Sequence, residues 1–154
     1  MIGTCRRWLR RLTAEERGSA VVEFVFLEVL LLVPLVYLVL TLARVQAGAF
    51  AVATAAREAG RAYVTAATEA SAQARADAAA RIAFEDQGFL PPEGRVTLTC
   101  DGTPCLRPEG RVEVVGTLRV ALPLIPTFAG TVVPLEVTLS ASHVAVVDRF
   151  REVR

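Results

Sequence analysis

RGSAVVEFVFLEVLLLVPLVYLVLTLA, residues 17–43, is followed at once by Arg44, and between Ala20 and Ala43 the only ionisable side chains are Glu23, Glu28 and Tyr37. About 20 apolar residues rising 1.5 Å each cover the roughly 30 Å hydrocarbon core of a bilayer, so this run is long enough to cross one with some tilt. A transmembrane helix over residues 19–43 is the expectation. A secretory signal also begins with charge, and Ala47, Gly48 and Ala49 could mimic its cleavage site, but its apolar core has about 7 to 15 residues. The longer core here predicts a retained anchor. Leu and Val are favourable at the bilayer centre, whereas a carboxylate there costs roughly 2.5 to 3.5 kcal/mol. Glu23 and Glu28 therefore require a partner or a wet position. Five residues separate them, about 140° around a helix, so they do not form one paired site. Pro34 removes a backbone hydrogen bond within the run and favours a kink.

Residues 1–18 read as a basic leader. Arg6, Arg7, Arg10, Arg11 and Arg17 precede the apolar run and only Glu15 and Glu16 oppose them. Such a bias predicts a cytoplasmic N-terminus and an ectodomain on the far side. Trp8, Leu9 and Leu12 could form the lipid-facing side of an amphipathic surface helix. The whole chain has 17 basic and 16 acidic residues; taking those five arginines and two glutamates away leaves 12 against 14. The remainder is slightly acidic, which argues against a nucleic-acid partner.

Gly18-Ser19-Ala20-Val21-Val22-Glu23-Phe24, behind a basic leader, resembles the processing site of type IV pilin-like precursors, in particular the TadE-like proteins of tight-adherence (Flp) pilus systems. The resemblance implies cleavage by a prepilin peptidase between Gly18 and Ser19, Glu23 as the fifth mature residue just inside the membrane, and Phe24 after it. It also implies a pseudopilin-like subunit of the bacterial cytoplasmic (inner) membrane, with other pilin-like subunits and pilus or secretion assembly proteins as partners. Glu28 and Pro34 lie outside the motif. Glycine has no Cβ, so a protease can approach the backbone closely and the chain can leave helical geometry there. A new amino group at Ser19 would be a cation one turn from Glu23, or near the Glu23 of a neighbouring subunit, and pairing would offset part of the carboxylate's desolvation.

After Arg44 the composition turns to alanine with scattered charges, which predicts that the same helix extends outward over residues 44–87. Val45, Val52, Ala56, Ala59, Tyr63, Ala67, Ala70, Ala74, Ala78 and Ile82 trace one drifting stripe, and with Gly48 and Gly60 it suits close packing, most simply under a small sheet. Gly88 is placed to end the helix, and Pro91-Pro92 forbids its continuation. Residues 88–154 then read as an antiparallel β ectodomain. Arg95–Cys100, Arg111–Leu122 and Leu135–Ala141, the last running on toward Val147, alternate with period two. A phase break at Val115-Gly116 suggests a bulge. Pro123–Gly130 is an apolar, proline-bearing connection of the kind that marks a contact surface, and a similar connection is common in TadE-like ectodomains. Asp148–Arg154 reads as a fraying tail. The fold class expected is α+β, pilin-like: one long N-terminal transmembrane helix continuing into a small ectodomain whose antiparallel sheet has about three or four strands.

Cys100 and Cys105 bracket Asp101-Gly102-Thr103-Pro104 and can close a small disulfide loop in an oxidising compartment, two free thiols being the alternative. One histidine and no C-x2-C spacing leave a zinc site or redox pair unsupported, and no cofactor is expected. His143 falls in step with Leu139 and Ala141, where a hydrogen-bonded structural role outweighs a general base that lacks a nucleophile. No residues assemble into a catalytic pattern. Two function classes remain: a pilin-like assembly subunit, and an unprocessed bitopic envelope protein whose anchored ectodomain is a protein-binding module.

Overall fold

The computed structural model describes residues 3–122 and 136–151, with side chains from Ala20 onward. Among the described residues two helices and three strands follow one another as α1 (Gly3–Val64), α2 (Glu69–Glu85), β1 (Gly94–Cys100), β2 (Arg111–Ala121) and β3 (Glu136–Val146). They divide into two compact units, Met1–Leu40 and Thr41–Arg154. The class is α+β, as expected. In the first unit α1 is helical through Gly18 and through Pro34, so no break in helical geometry precedes the apolar run.

The second unit holds the core. β1, β2 and β3 form one antiparallel sheet in chain order, with β2 in the middle. Val112, Val114, Leu118 and Val120 of β2 are buried, and Gly116 keeps the same phase. The bulge expected at Val115-Gly116 is absent: Val96 faces Gly116 on one side and Ala141 faces it on the other, in an unbroken register. The apparent phase break came from counting glycine as a non-member of the apolar set. Gly116 is inward and bare because Val52 of α1 fills the space, and a Cβ there would lie 3.0 Å from both Val52 Cγ2 and the Val52 carbonyl oxygen.

Three contacts show how α1 lies on the sheet. Gly48 abuts Val120 and Leu139, Val52 abuts Gly116, and Gly60 abuts Ala145 and Val114. As α1 ascends, β2 descends. The helix stripe predicted through Val52, Ala56, Ala59 and Tyr63 is indeed the buried one, joined by Ala51 and Ala55.

Beyond Tyr63 the prediction of one continuous helix fails. α1 stops at Val64, and Thr65 turns its hydroxyl back to donate to the Arg61 carbonyl at 2.8 Å. Thr68, in extended geometry, caps a new helix: its side chain accepts from Ser71 N–H while Ser71 Oγ accepts from Thr68 N–H. That reciprocal pair satisfies two donors that a helix start leaves orphaned. The restart resets the phase. α2 buries Ala72, Ala76, Ala80, Ala83 and Phe84, while Ala67, Ala70, Ala74, Ala78 and Ile82 face outward. α2 lies against β1, with the Phe84 ring seated on Gly94.

Gly88 ends α2 as predicted. Its φ of 74° is left-handed, its N–H donates to the Glu85 carbonyl, and Phe89 N–H reaches back to Phe84. This pairing satisfies the last helical carbonyls. The strand limits differ from expectation by a residue at Gly94 and Ala121; Leu135 and the connection Pro123–Gly130 lie outside the described residues.

Candidate functional site

Along the apolar part of α1, every Leu, Val and Phe side chain from Val21 to Leu42 is exposed, with 47% to 71% of its surface free, while Tyr37 is half-buried. A soluble helix of this length would hide one face. This is the one helix among the described residues long and apolar enough to cross a membrane. Glu23 and Phe24 both stand on that exposed surface, Phe24 at 68%. Gly18 and Ser19 belong to α1, and their side chains lie outside the described part. The structure thus places the predicted processing and assembly residues along one helix without bringing them to any second element.

Arg44, which closes the apolar run, lies within the second unit and is tied to its core. Its Nη2 donates to the Gly88 carbonyl at 3.2 Å and its guanidinium lies 4.0 Å from the centre of the Phe89 ring. Phe89 is fully buried, so the stacked cation covers the floor of the core. A contact of this type contributes about 0.5 to 2 kcal/mol depending on desolvation. The sequence marks Arg44 only as the end of the apolar run; no local signal connects it with a residue 45 positions on.

At the other end of the helix pair, Arg151 reaches the backbone where α1 stops. Its Nη1 donates to the Val64 carbonyl at 3.0 Å, and Nη2 donates to Ala66 and to Ala67, the last at 3.1 Å. A cation here satisfies orphaned carbonyls and complements the negative end of the helix dipole. The tail expected to fray is therefore anchored at least as far as Arg151. Val147, just before it, is buried and exchanges backbone hydrogen bonds with Glu109 and Gly110.

Cys100 and Cys105 are joined by a disulfide. Around that loop, Asp101 Oδ1 accepts from Arg111 N–H at 3.0 Å and pairs with Arg107 Nη2 at 3.0 Å. The backbone donor first, and the guanidinium after it, hold the Asp101 carboxyl below its ordinary range. Leu106 N–H donates to Glu69 Oε1 at 3.2 Å, fastening the loop to the first turn of α2. The Tyr63 hydroxyl lies 3.9 Å from Cys100 Sγ. Burial, with a smaller contribution from the Glu69 charge, pushes that phenol above its ordinary value. His143 is half-buried beside Gly60, on the apolar face assigned to it.

No family model, no curated protein and no solved structure matches this chain. The arrangement offers a membrane-length apolar surface carrying Glu23 and Glu28, and a second unit closed by two arginine clamps and a disulfide.

Proposed function

We propose that the protein is a single-pass membrane subunit of the TadE-like kind, taking part in assembly of a tight-adherence pilus or a related secretion apparatus. One observation carries the reading: Glu23 lies on an exposed helix surface that is apolar apart from it and Glu28, within a Gly-Ser-Ala-Val-Val-Glu-Phe motif and behind a basic leader. Exposed Leu, Val and Phe side chains are satisfied by lipid. A carboxylate among them is satisfied by a partner, and the amino group that cleavage after Gly18 would create at Ser19 is a cation of the right charge, on the same or an adjacent subunit. The arginines before the run set the N-terminus in the cytoplasm and the ectodomain outside, where the Cys100–Cys105 bridge persists. Pilin-like subunits, assembly proteins and a prepilin peptidase are the partners of this reading.

A second reading, the unprocessed anchored binding module, is favoured by the helix passing unbroken through Gly18 and Ser19, since proteases act on extended backbone. Two measurements separate them. N-terminal sequencing of protein from bacterial membranes yields Ser19 first in the subunit reading and Met1 in the other. Glu23→Ala keeps full membrane integration, because removing a carboxylate only raises the apolarity of the span. It nonetheless loses assembly components in co-purification, whereas Glu28→Ala retains them. Equal recovery with wild type and Glu23→Ala would leave the anchored module as the function.

A further inference from the structure

β1 is an edge of the sheet, and the bonds at its two ends fix which of its backbone groups face β2. Arg119 N–H donates to the Glu93 carbonyl at 2.9 Å, and Asp101 N–H donates to the Arg111 carbonyl at 3.1 Å. An antiparallel ladder bonds alternate residues. Arg95, Thr97 and Thr99 therefore bond β2, and the N–H and C=O groups of Gly94, Val96 and Leu98 point away from the sheet. Among the described residues none takes them. Natural edges are commonly blunted by lysine, proline or a bulge, and Gly94–Leu98 has none of these.

Beside this open edge stands α2. Asp77 and Arg81 form the helix wall of a groove of about 220 Å³ whose floor is Phe84, Leu90, Pro91 and Val96. The volume is under the roughly 300 Å³ at which small-molecule pockets begin, and suits one or two side chains. Phe84 is buried whereas Leu90 is 63% exposed, so the floor opens outward. On the wall, Arg81 pairs with Glu85 at 3.3 Å and Asp77 accepts from Gln73 at 3.0 Å. Arg95, at the mouth, has no carboxylate partner among the described residues. Glu93, two residues before it on the same face, accepts from Leu90 N–H at 2.7 Å. Opposite Arg95 on β2 is Thr117, with Arg119 diagonal to it.

We infer that an extended segment of a partner polypeptide adds to β1 as a fourth strand, antiparallel, in the groove between the sheet edge and α2. Three outward N–H groups and three outward C=O groups in a row are complementary to a polypeptide backbone. The pairing also sets the partner's side chains. Its residue opposite Val96 bonds Val96 and so places its side chain on the same face, over Phe84 and Leu90. The next residue lies opposite Arg95 on the other face, where the guanidinium calls for Asp or Glu. The occupant is thus a strand in which a bulky apolar residue is followed directly by an acid. The groove lies wholly in the second unit and depends on neither reading above.

The probe is a random dodecapeptide library displayed on phage, selected against the full-length protein in phosphatidylcholine nanodiscs after binders to empty nanodiscs are removed. Selection enriches Leu, Ile or Phe followed directly by Asp or Glu. A synthetic peptide with that pair binds wild type. It loses about tenfold or more in affinity on Leu90→Ser and on Val96→Pro, which removes one edge donor and no bond to β2. Val144→Pro behaves as wild type: Val147 N–H bonds the Gly110 carbonyl, so the alternate Val144 N–H points out from β3, the far edge. Methylating the peptide's amides separates strand addition from any folding defect of the variants. Methylation of the alternate amides that face β1 costs about tenfold or more, and methylation of the other set leaves affinity within about twofold. Equal tolerance of both sets overturns the added strand, as does full binding by Val96→Pro or an equal loss in Val144→Pro. Failure to enrich any sequence above empty nanodiscs overturns the groove. A wild-type dimer that Val96→Pro dissolves assigns the edge to a second copy and overturns the partner segment.

Discussion

Arg151 donates through Nη1 to the carbonyl oxygen of Val64 at 3.0 Å, so a residue beyond β3 caps the helix that packs on β2 and β3. Hydrogen bonds to a charged group are worth about 1.5 to 3 kcal/mol each, and partial exposure of this one lowers the figure. Arg151→Gln is expected to reduce the stability of the second unit by about 2 kcal/mol, with Arg151→Lys in between. Urea unfolding in mild detergent, followed by far-ultraviolet circular dichroism, measures it. An unchanged midpoint for the glutamine variant would show that water serves those carbonyls equally well.

The two interfacial glycines of α1 are expected to respond differently to alanine. A Cβ at Gly48 would stand 2.6 Å from Val120 Cγ2, which belongs to a fully buried side chain, and 2.9 Å from Leu139 Cδ1. At Gly60 the nearest atom would be Ala145 Cβ at 3.1 Å. Glycine-to-alanine exchange in a helix interior gains about 1 kcal/mol, while overpacking a core costs about 1 to 3. Gly48→Ala should destabilise by about 1 to 2 kcal/mol and Gly60→Ala should be nearly neutral. The order of the two unfolding midpoints is the check, and a reversed order would refute the packing argument.

The six-residue loop closed by Cys100 and Cys105 is short, so its loss should cost about 2 kcal/mol by loop entropy. Cys100→Ser/Cys105→Ser should therefore remain folded with a lowered midpoint. In wild type, alkylation without reductant should modify neither thiol; free reaction at either position would contradict the bridge.

Asp101 and Tyr63 predict opposite pH dependences. Asp101 has a folded-state pKa below its unfolded value of about 3.9, so the stability it contributes is present above that value and is lost as pH falls through it and on toward the folded value. Tyr63 has a folded-state pKa above its unfolded value of about 10, so its contribution is present below pH 10 and is lost as pH rises beyond. Asp101→Asn should flatten the acid limb of a stability–pH curve and Tyr63→Phe the alkaline limb. An acid limb identical in wild type and Asp101→Asn would show that the Arg111 contact contributes nothing to it.

Much of this architecture is written in the chain at short range. Alternation in Arg95–Cys100, Arg111–Leu122 and Val137–Ala141 follows from one face meeting the two helices, and Gly88 before Pro91-Pro92 announces the end of α2. The break at Thr65–Thr68 was harder to see because alanine surrounds it on both sides. Its cap also uses Ser71 where such boxes usually carry Glu or Gln. Gly116 misled in a different way, since the residue filling its position is Val52, 64 positions earlier. Arg44 with Phe89, and Arg151 with Val64, are pairs whose meeting depends on the assembled fold, and nothing near either arginine distinguishes it from a solvated charge. The candidate site was legible as a motif, Gly18 through Phe24, because that motif is contiguous.

The separation of 87 residues between Val64 and Arg151 also has a meaning in time. At about 5 to 20 residues per second, a ribosome makes the helix end some 4 to 17 s before it makes the arginine that closes it. The strands that cover Ala51, Ala55 and Ala59 arrive within the same interval. Alanine suits that wait: a nascent helix faced largely with methyl groups exposes little apolar surface before the sheet is synthesised to meet it, and alanine favours the helical state in the meantime.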